Sequence, residues 1–164
     1  MKRLVVAIVL VLVMPCLTFG QAAKKASAAQ GPDPLIGTWE LNVAKSTFTL
    51  GTQFKASTRT FEAAGEGLKY SGRNVSVDGR TTVVQWTAYY DGKEYPVTGH
   101  ESLTAISMTR TDRFTSDSEL KGPGKPRETN RRVVSQDGKV LTVTTEGIND
   151  KGTAYKMVWV FDKK

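Results

Sequence analysis

From Leu35 onward, apolar and polar residues alternate with a period of two. Trp39, Leu41 and Val43 fall on one face, with Thr38, Glu40 and Asn42 on the other. The same alternation returns over residues 58–62, 67–77, 81–90, 106–114, 128–134, 139–145 and 154–161. Thr, Val, Tyr, Phe and Trp are frequent in these runs, side chains that suit a pleated, half-buried surface. Each run predicts a strand. Helical spacing is weak in this part of the chain, and the one short helix the pattern admits covers residues 43–52.

The punctuation between runs is regular. Asp78-Gly79-Arg80, Asp91-Gly92-Lys93 and Asp137-Gly138-Lys139 sit between alternating stretches, and Asp-Gly there predicts a type I′ hairpin with positive φ at both residues. Residues 64–67, 98–100 and 149–152 add further turns. A turn every ~12–13 residues leaves strands of about 8–10. Strands joined in order by tight hairpins make a meander, which removes its exposed edges by closing on itself. The expected fold class is therefore all-β, a single antiparallel up-and-down barrel of about 8–10 strands. A two-sheet sandwich competes, but Greek-key connections need longer crossovers than these turns supply. Residues 116–127, with Gly122-Pro123-Gly124-Lys125-Pro126, are too rich in breakers to pair fully. They read as a surface loop, with a long hairpin at a barrel mouth as the alternative.

The N-terminus follows another pattern. Met1-Lys2-Arg3 is basic, residues 4–14 are apolar without interruption, and Pro15 ends the run. Thr18-Phe19-Gly20 then offers small residues at both positions a signal peptidase reads, so residues 1–20 are expected to be a signal peptide. The run falls short of the ~20 residues a membrane span needs. Residues 21–34 form a low-complexity linker, expected to be disordered, and residues 35–164 the barrel. Cys16 is the only cysteine, and Pro15 before it argues against lipidation. The mature chain then carries no thiol, which suits an oxidising compartment, and the protein is expected to be exported, periplasmic or secreted.

A formal charge of +7 suggests nucleic acid until it is located. Four of the basic residues precede the first acid, Asp33, which leaves +3 from residue 31 onward with the signs interspersed. No basic stripe interleaved with aromatics exists, so nucleic acid is not an expected partner.

Leu35-Ile36-Gly37-Thr38-Trp39-Glu40-Leu41 resembles the opening of lipocalin and fatty-acid-binding barrels, where Gly-x-Trp begins the first strand. Residues 37–42 with Lys45-Ser46, and then Tyr90-Asp91-Gly92-Lys93-Glu94-Tyr95-Pro96-Val97-Thr98-Gly99, are similar to a group of secreted bacterial lipocalin-like proteins. The resemblance runs from about residue 35 to the C-terminus. It implies a calycin-type barrel in which Trp39 packs inside and closes one end. Fatty-acid-binding proteins also carry an Arg-x-Tyr pair in the final strand. Here that strand reads Met157-Val158-Trp159-Val160-Phe161, so the pair is not carried over.

Candidate chemistry is sparse. His100 is the only histidine, which excludes histidine pairs on a metal and leaves a solvated turn histidine as its expected state. No nucleophile elbow or phosphate-cradling glycine loop occurs, so no catalytic residue, metal ligand or cofactor is assigned. The apolar faces are more informative. A cavity inside the barrel would be lined by Trp39, Tyr70, Trp86, Tyr90, Tyr155, Met157 and Trp159, with Arg110 and Arg132 as its polar groups. Arg59, Arg110 and Arg132 lie within strands; each is expected to be exposed, since an unpaired buried arginine costs several kcal/mol. The expected function is a monomeric, non-catalytic barrel that binds or carries a small hydrophobic ligand. The alternative is a barrel filled by residues such as Phe61, Trp159 and Phe161, acting as a structural or protein-interaction module. A barrel enzyme acting on a hydrophobic substrate is a third, weaker reading. A cavity of roughly 300 Å3 or more discriminates between the first two.

Overall fold

The computed structural model describes residues 31–48, 54–123, 125–149 and 152–164, with 125–127 through their backbone only. The expected signal peptide, and the linker up to residue 30, lie outside the described residues. The period-two runs become β1 (Gly37–Leu41), β2 (Thr47–Phe48), β3 (Phe54–Ala64), β4 (Gly67–Ser76), β5 (Thr81–Tyr89) and β6 (Glu94–Thr98). They continue as β7 (Ala105–Arg110), β8 (Thr115–Gly122), β9 (Lys125–Val134), β10 (Val140–Ile148) and β11 (Ala154–Lys163). From β3 to β11 each strand pairs antiparallel with the next, and β1 joins β3 on one side and β11 on the other. Trp39 stands opposite both Arg59 and Lys163, and the ring of ten strands is closed. This is the up-and-down barrel that the alternation and the Gly-x-Trp opening imply.

β1 and β2 are one strand interrupted. Both pair with β11, and between them Val43–Lys45 forms a 3-10 turn, so the helix expected over residues 43–52 is absent from 43–48, while residues 49–52 lie outside the described residues. Asn42 and Ser46 explain the break. The Asn42 carboxamide accepts from Lys45 N–H at 3.2 Å and donates to Asp162 Oδ2 at 2.6 Å. Ser46 Oγ donates to the Asn42 carbonyl at 2.7 Å and accepts from Val160 N–H at 3.0 Å. Side chains thus take over ladder bonds, and Val43, expected on the inner face with Trp39, is exposed.

Two turn expectations are corrected. In the Asp-Gly hairpins only the glycines have positive φ, +85° at Gly79, +73° at Gly92 and +70° at Gly138, so these are not type I′ turns. Each aspartate instead accepts the N–H two residues on through Oδ1, at 3.1 Å for Arg80, Lys93 and Lys139 alike. This Asx turn holds the aspartate at negative φ and leaves the left-handed position to glycine. The breaker-rich segment also pairs. β8 and β9 run together to Gly122 opposite Lys125, and a register shift at Leu120/Lys121 takes up the irregularity where Pro126 stands opposite Lys121.

The interior has two unlike halves. At the end where β1 begins, Trp39, Phe61, Leu68, Leu141 and Phe161 are each no more than 1% exposed and fill the barrel. At roughly 1.5–3 kcal/mol per buried side chain, this packing holds the fold. Trp39 also donates from Nε1 to the Leu35 carbonyl at 2.8 Å, which ties the entering chain across that end. The other half is hollow.

Candidate ligand cavity

Where β3 begins and β4 and β10 end, the barrel encloses a cavity of about 410 Å3, within the range of small-molecule sites. Phe54, Tyr70, Trp86, Tyr155 and Trp159 supply the aromatic part of its wall. On β4 and β5, Tyr70 stacks on Trp86 with centroids 4.7 Å apart and planes at 16°. Gly72 makes this arrangement available, because a Cβ there would run into the Tyr70 hydroxyl. On β11, Trp159 meets Phe48 edge-on at 4.9 Å and Phe54 at 5.0 Å, with Met157 and Tyr155 following toward the open end.

Of the residues expected to line a cavity, Tyr70, Trp86, Arg132, Tyr155, Met157 and Trp159 do so. Trp39, Tyr90 and Arg110 do not; they belong to the closed end. Alternation tells which face a residue takes but not its depth along the barrel, and these three share the inner face at the wrong depth.

Polar groups are concentrated on β9 and its neighbours. Arg132, expected to be exposed, is 5% exposed, and its Nη1 donates to Ser118 Oγ at 2.8 Å. Burial, and then the nearby Arg59 charge, push its guanidinium down to about 10, so it stays cationic at neutral pH. Arg59, also expected at the surface, lines the same cavity with its guanidinium 4.4 Å from the Phe161 ring and 5.3 Å from Trp159. Asn130 Oδ1 accepts from Thr145 Oγ1, and Asn130 Nδ2 donates to Glu128 Oε1 at 3.2 Å. The other carboxylate oxygen, Oε2, accepts from the Tyr155 hydroxyl at 2.9 Å. Arg59, Glu128, Asn130 and Thr145 were not among the expected site residues. The signal for two of them, Glu128 and Asn130, was an inward polar run that they form at alternate positions with Arg132, which reads by default as a solvated face.

His100 stands in an exposed turn at the rim of the cavity, where its Nδ1 accepts from the backbone N–H groups of Ser102 at 3.2 Å and Leu103 at 3.1 Å. It shapes the rim. Among the described residues no cluster of three metal-ligating side chains occurs, and no helix is long and apolar enough to cross a membrane. A larger depression of about 700 Å3 lies over the outer faces of β7 to β11. Two of its carboxylates are ion-paired, Asp117 with Arg131 at 3.5 Å and Glu146 with Lys156 at 2.7 Å.

The closed end is locked by Asp33, a residue of the expected linker. Its Oδ1 accepts from Leu35 N–H at 3.0 Å, and its Oδ2 accepts from the Tyr90 hydroxyl at 2.7 Å and from the Arg110 guanidinium. The guanidinium carbon of Arg110 lies 4.1 Å from the Tyr90 ring centroid. Burial, then the Asp33 charge, hold the Tyr90 hydroxyl protonated well above the ordinary tyrosine range. A raised folded-state pKa means the stabilisation is present below the unfolded value near 10 and is lost as pH rises through the folded value. Tyr90→Phe is therefore expected to lower stability by about 1–3 kcal/mol at neutral pH, the loss of a hydrogen bond to a charged acceptor. Urea midpoints compared at neutral and strongly alkaline pH should show the gap between wild type and variant closing. A gap that widens contradicts this assignment.

No protein-family model and no curated protein matches this sequence. Among solved structures, one described as EF1p2_mFAP2b bound to DFHBI is similar at a TM-score of 0.48 and 14% identity, covering 80% of this chain and 94% of that one.

Proposed function

We propose that this protein is an exported, non-catalytic barrel that binds or carries a small hydrophobic ligand in the cell envelope. One observation carries the reading: the barrel holds a cavity of about 410 Å3 lined by aromatic side chains together with several inward polar groups. A filled barrel serving as a structural or interaction module would need that volume packed. Tyr70, Trp86 and Trp159 are large enough to fill space but line the walls instead. The basic start and apolar run of residues 1–14, together with the absence of any cysteine after Cys16, support export. The scattered charge gives no reason to expect nucleic acid, and we read the chain as a monomer.

Native mass spectrometry of the protein purified from a bacterial periplasm tests this reading. The expected result is an adduct of a few hundred daltons that disappears on denaturation, or, where the mass is bare, uptake of the neutral apolar dye phenylnaphthylamine with quenching of tryptophan emission. A bare mass together with no dye uptake overturns it.

A further inference from the structure

Resting on that reading, we infer that the ligand is a monoanion, an apolar body bearing one carboxylate-type group, and that it enters head first, its anionic group between Arg59 and Arg132. The observation behind this is a set of donors with nothing to donate to. Among the described residues four buried side-chain polar atoms find no protein partner, and three of them, Arg59 Nε, Arg132 Nε and Trp159 Nε1, belong to residues lining this one cavity. Buried N–H groups are almost always paired, so three orphans around one space call for an acceptor there. The register brings two of them level: Val143 on β10 stands opposite both Arg132 on β9 and Trp159 on β11.

Charge narrows the acceptor. Two guanidinium groups face the cavity, and among the described residues no carboxylate lies within ion-pairing distance of either. Water would satisfy the donors but would not neutralise two cations in a low-dielectric interior. An oxyanion does both, and the planar guanidinium fork matches its geometry. Arg59 presses its face on Phe161 and Trp159, which leaves its in-plane donors for a ligand.

Glu128 sets the charge count and the direction. It is the one carboxylate lining the cavity, so the lining carries a net charge of +1 and one negative charge neutralises it. It lies four residues before Arg132 on β9, roughly 13 Å nearer the open end along the strand. Its oxygens already accept from Tyr155 and Asn130. An anionic group near the mouth would face this carboxylate, whereas one seated deeper meets both arginines.

Two dyes that differ by a single charge provide the test: anilinonaphthalene sulfonate and its neutral parent skeleton, phenylnaphthylamine. The wild-type chain is expected to bind the sulfonate at least tenfold more tightly. Arg59→Met and Arg132→Met should each reduce the preference for the sulfonate over the neutral dye by tenfold or more. Arg80→Gln, at an exposed hairpin, should leave that preference unchanged. A second measurement needs no substitution: naphthoate should displace the bound sulfonate at a tenfold lower concentration than naphthamide. Equal affinities for the two dyes, an unchanged preference in both arginine variants, or equal displacement by acid and amide overturns the anion assignment while leaving a binding barrel. Failure of both dyes to bind overturns the binding reading itself.

Discussion

Trp39→Ala is expected to cost about 3–5 kcal/mol, a large share of the ~5–15 kcal/mol that holds a domain of this size folded. Three contributions add in the same direction. Trp39 is fully buried, so truncation removes its transfer energy and leaves a hole against Phe61 and Leu68 that the closed strand ring cannot collapse to fill. The Leu35 carbonyl loses its indole donor. The residue also stands in the middle of β1, the strand whose pairing to β3 and β11 closes the barrel, and its ring faces the Lys163 ammonium at 4.9 Å. Trp39→Phe keeps a ring but not the donor, and should fall between the variant and wild type. Urea unfolding read by the emission of Trp86 and Trp159 measures both. A loss under ~1 kcal/mol for the alanine variant would show that β1 closes the barrel without this side chain, contrary to the packing described.

How far the sequence carries can be judged strand by strand. On β5, Val84, Trp86 and Ala88 alternate with exposed partners, and the inner face is legible without a structure. β9 is different. Val134 is 2% exposed and Val133 is 39% exposed, so each face of the strand carries a valine at its end, and residues 127–132 before them are all polar. Hydrophobic alternation has no preference there, and the default reading puts Glu128, Asn130 and Arg132 in water. Only the closed ring, with Arg132 opposite Ser116 and Val143, turns that face inward. The end plug was equally hidden. Asp33 meets Tyr90 and Arg110 across 57 and 77 residues of chain, separations at which no local pattern operates. The hairpins were placed by Asp-Gly, yet their turn type was decided by the aspartate side chain accepting a backbone N–H, a local bond that competes with the dihedral preference.

The same residue that gives the cavity its charge is expected to weaken the empty protein, and Arg132→Met should therefore stabilise it by about 1–3 kcal/mol, raising Tm by roughly 3–10 °C. Arg132 is 5% exposed, has an orphan Nε and is repelled by Arg59. Methionine follows a similar path through the cavity wall, toward Trp86, with no charge to desolvate. Against this gain stands the hydrogen bond to Ser118 Oγ, worth about 1.5–3 kcal/mol net of exchange with water. The desolvation of an unpaired cation, several kcal/mol, is the larger quantity. Differential scanning calorimetry on the ligand-free chain measures the shift. A variant that melts well below wild type would mean that Arg132 is satisfied within the protein as a structural ion, and the stored cost that a bound anion relieves would not exist. A variant that melts higher identifies a position kept unfavourable in the free barrel, which is the expected signature of a group whose partner arrives with the ligand.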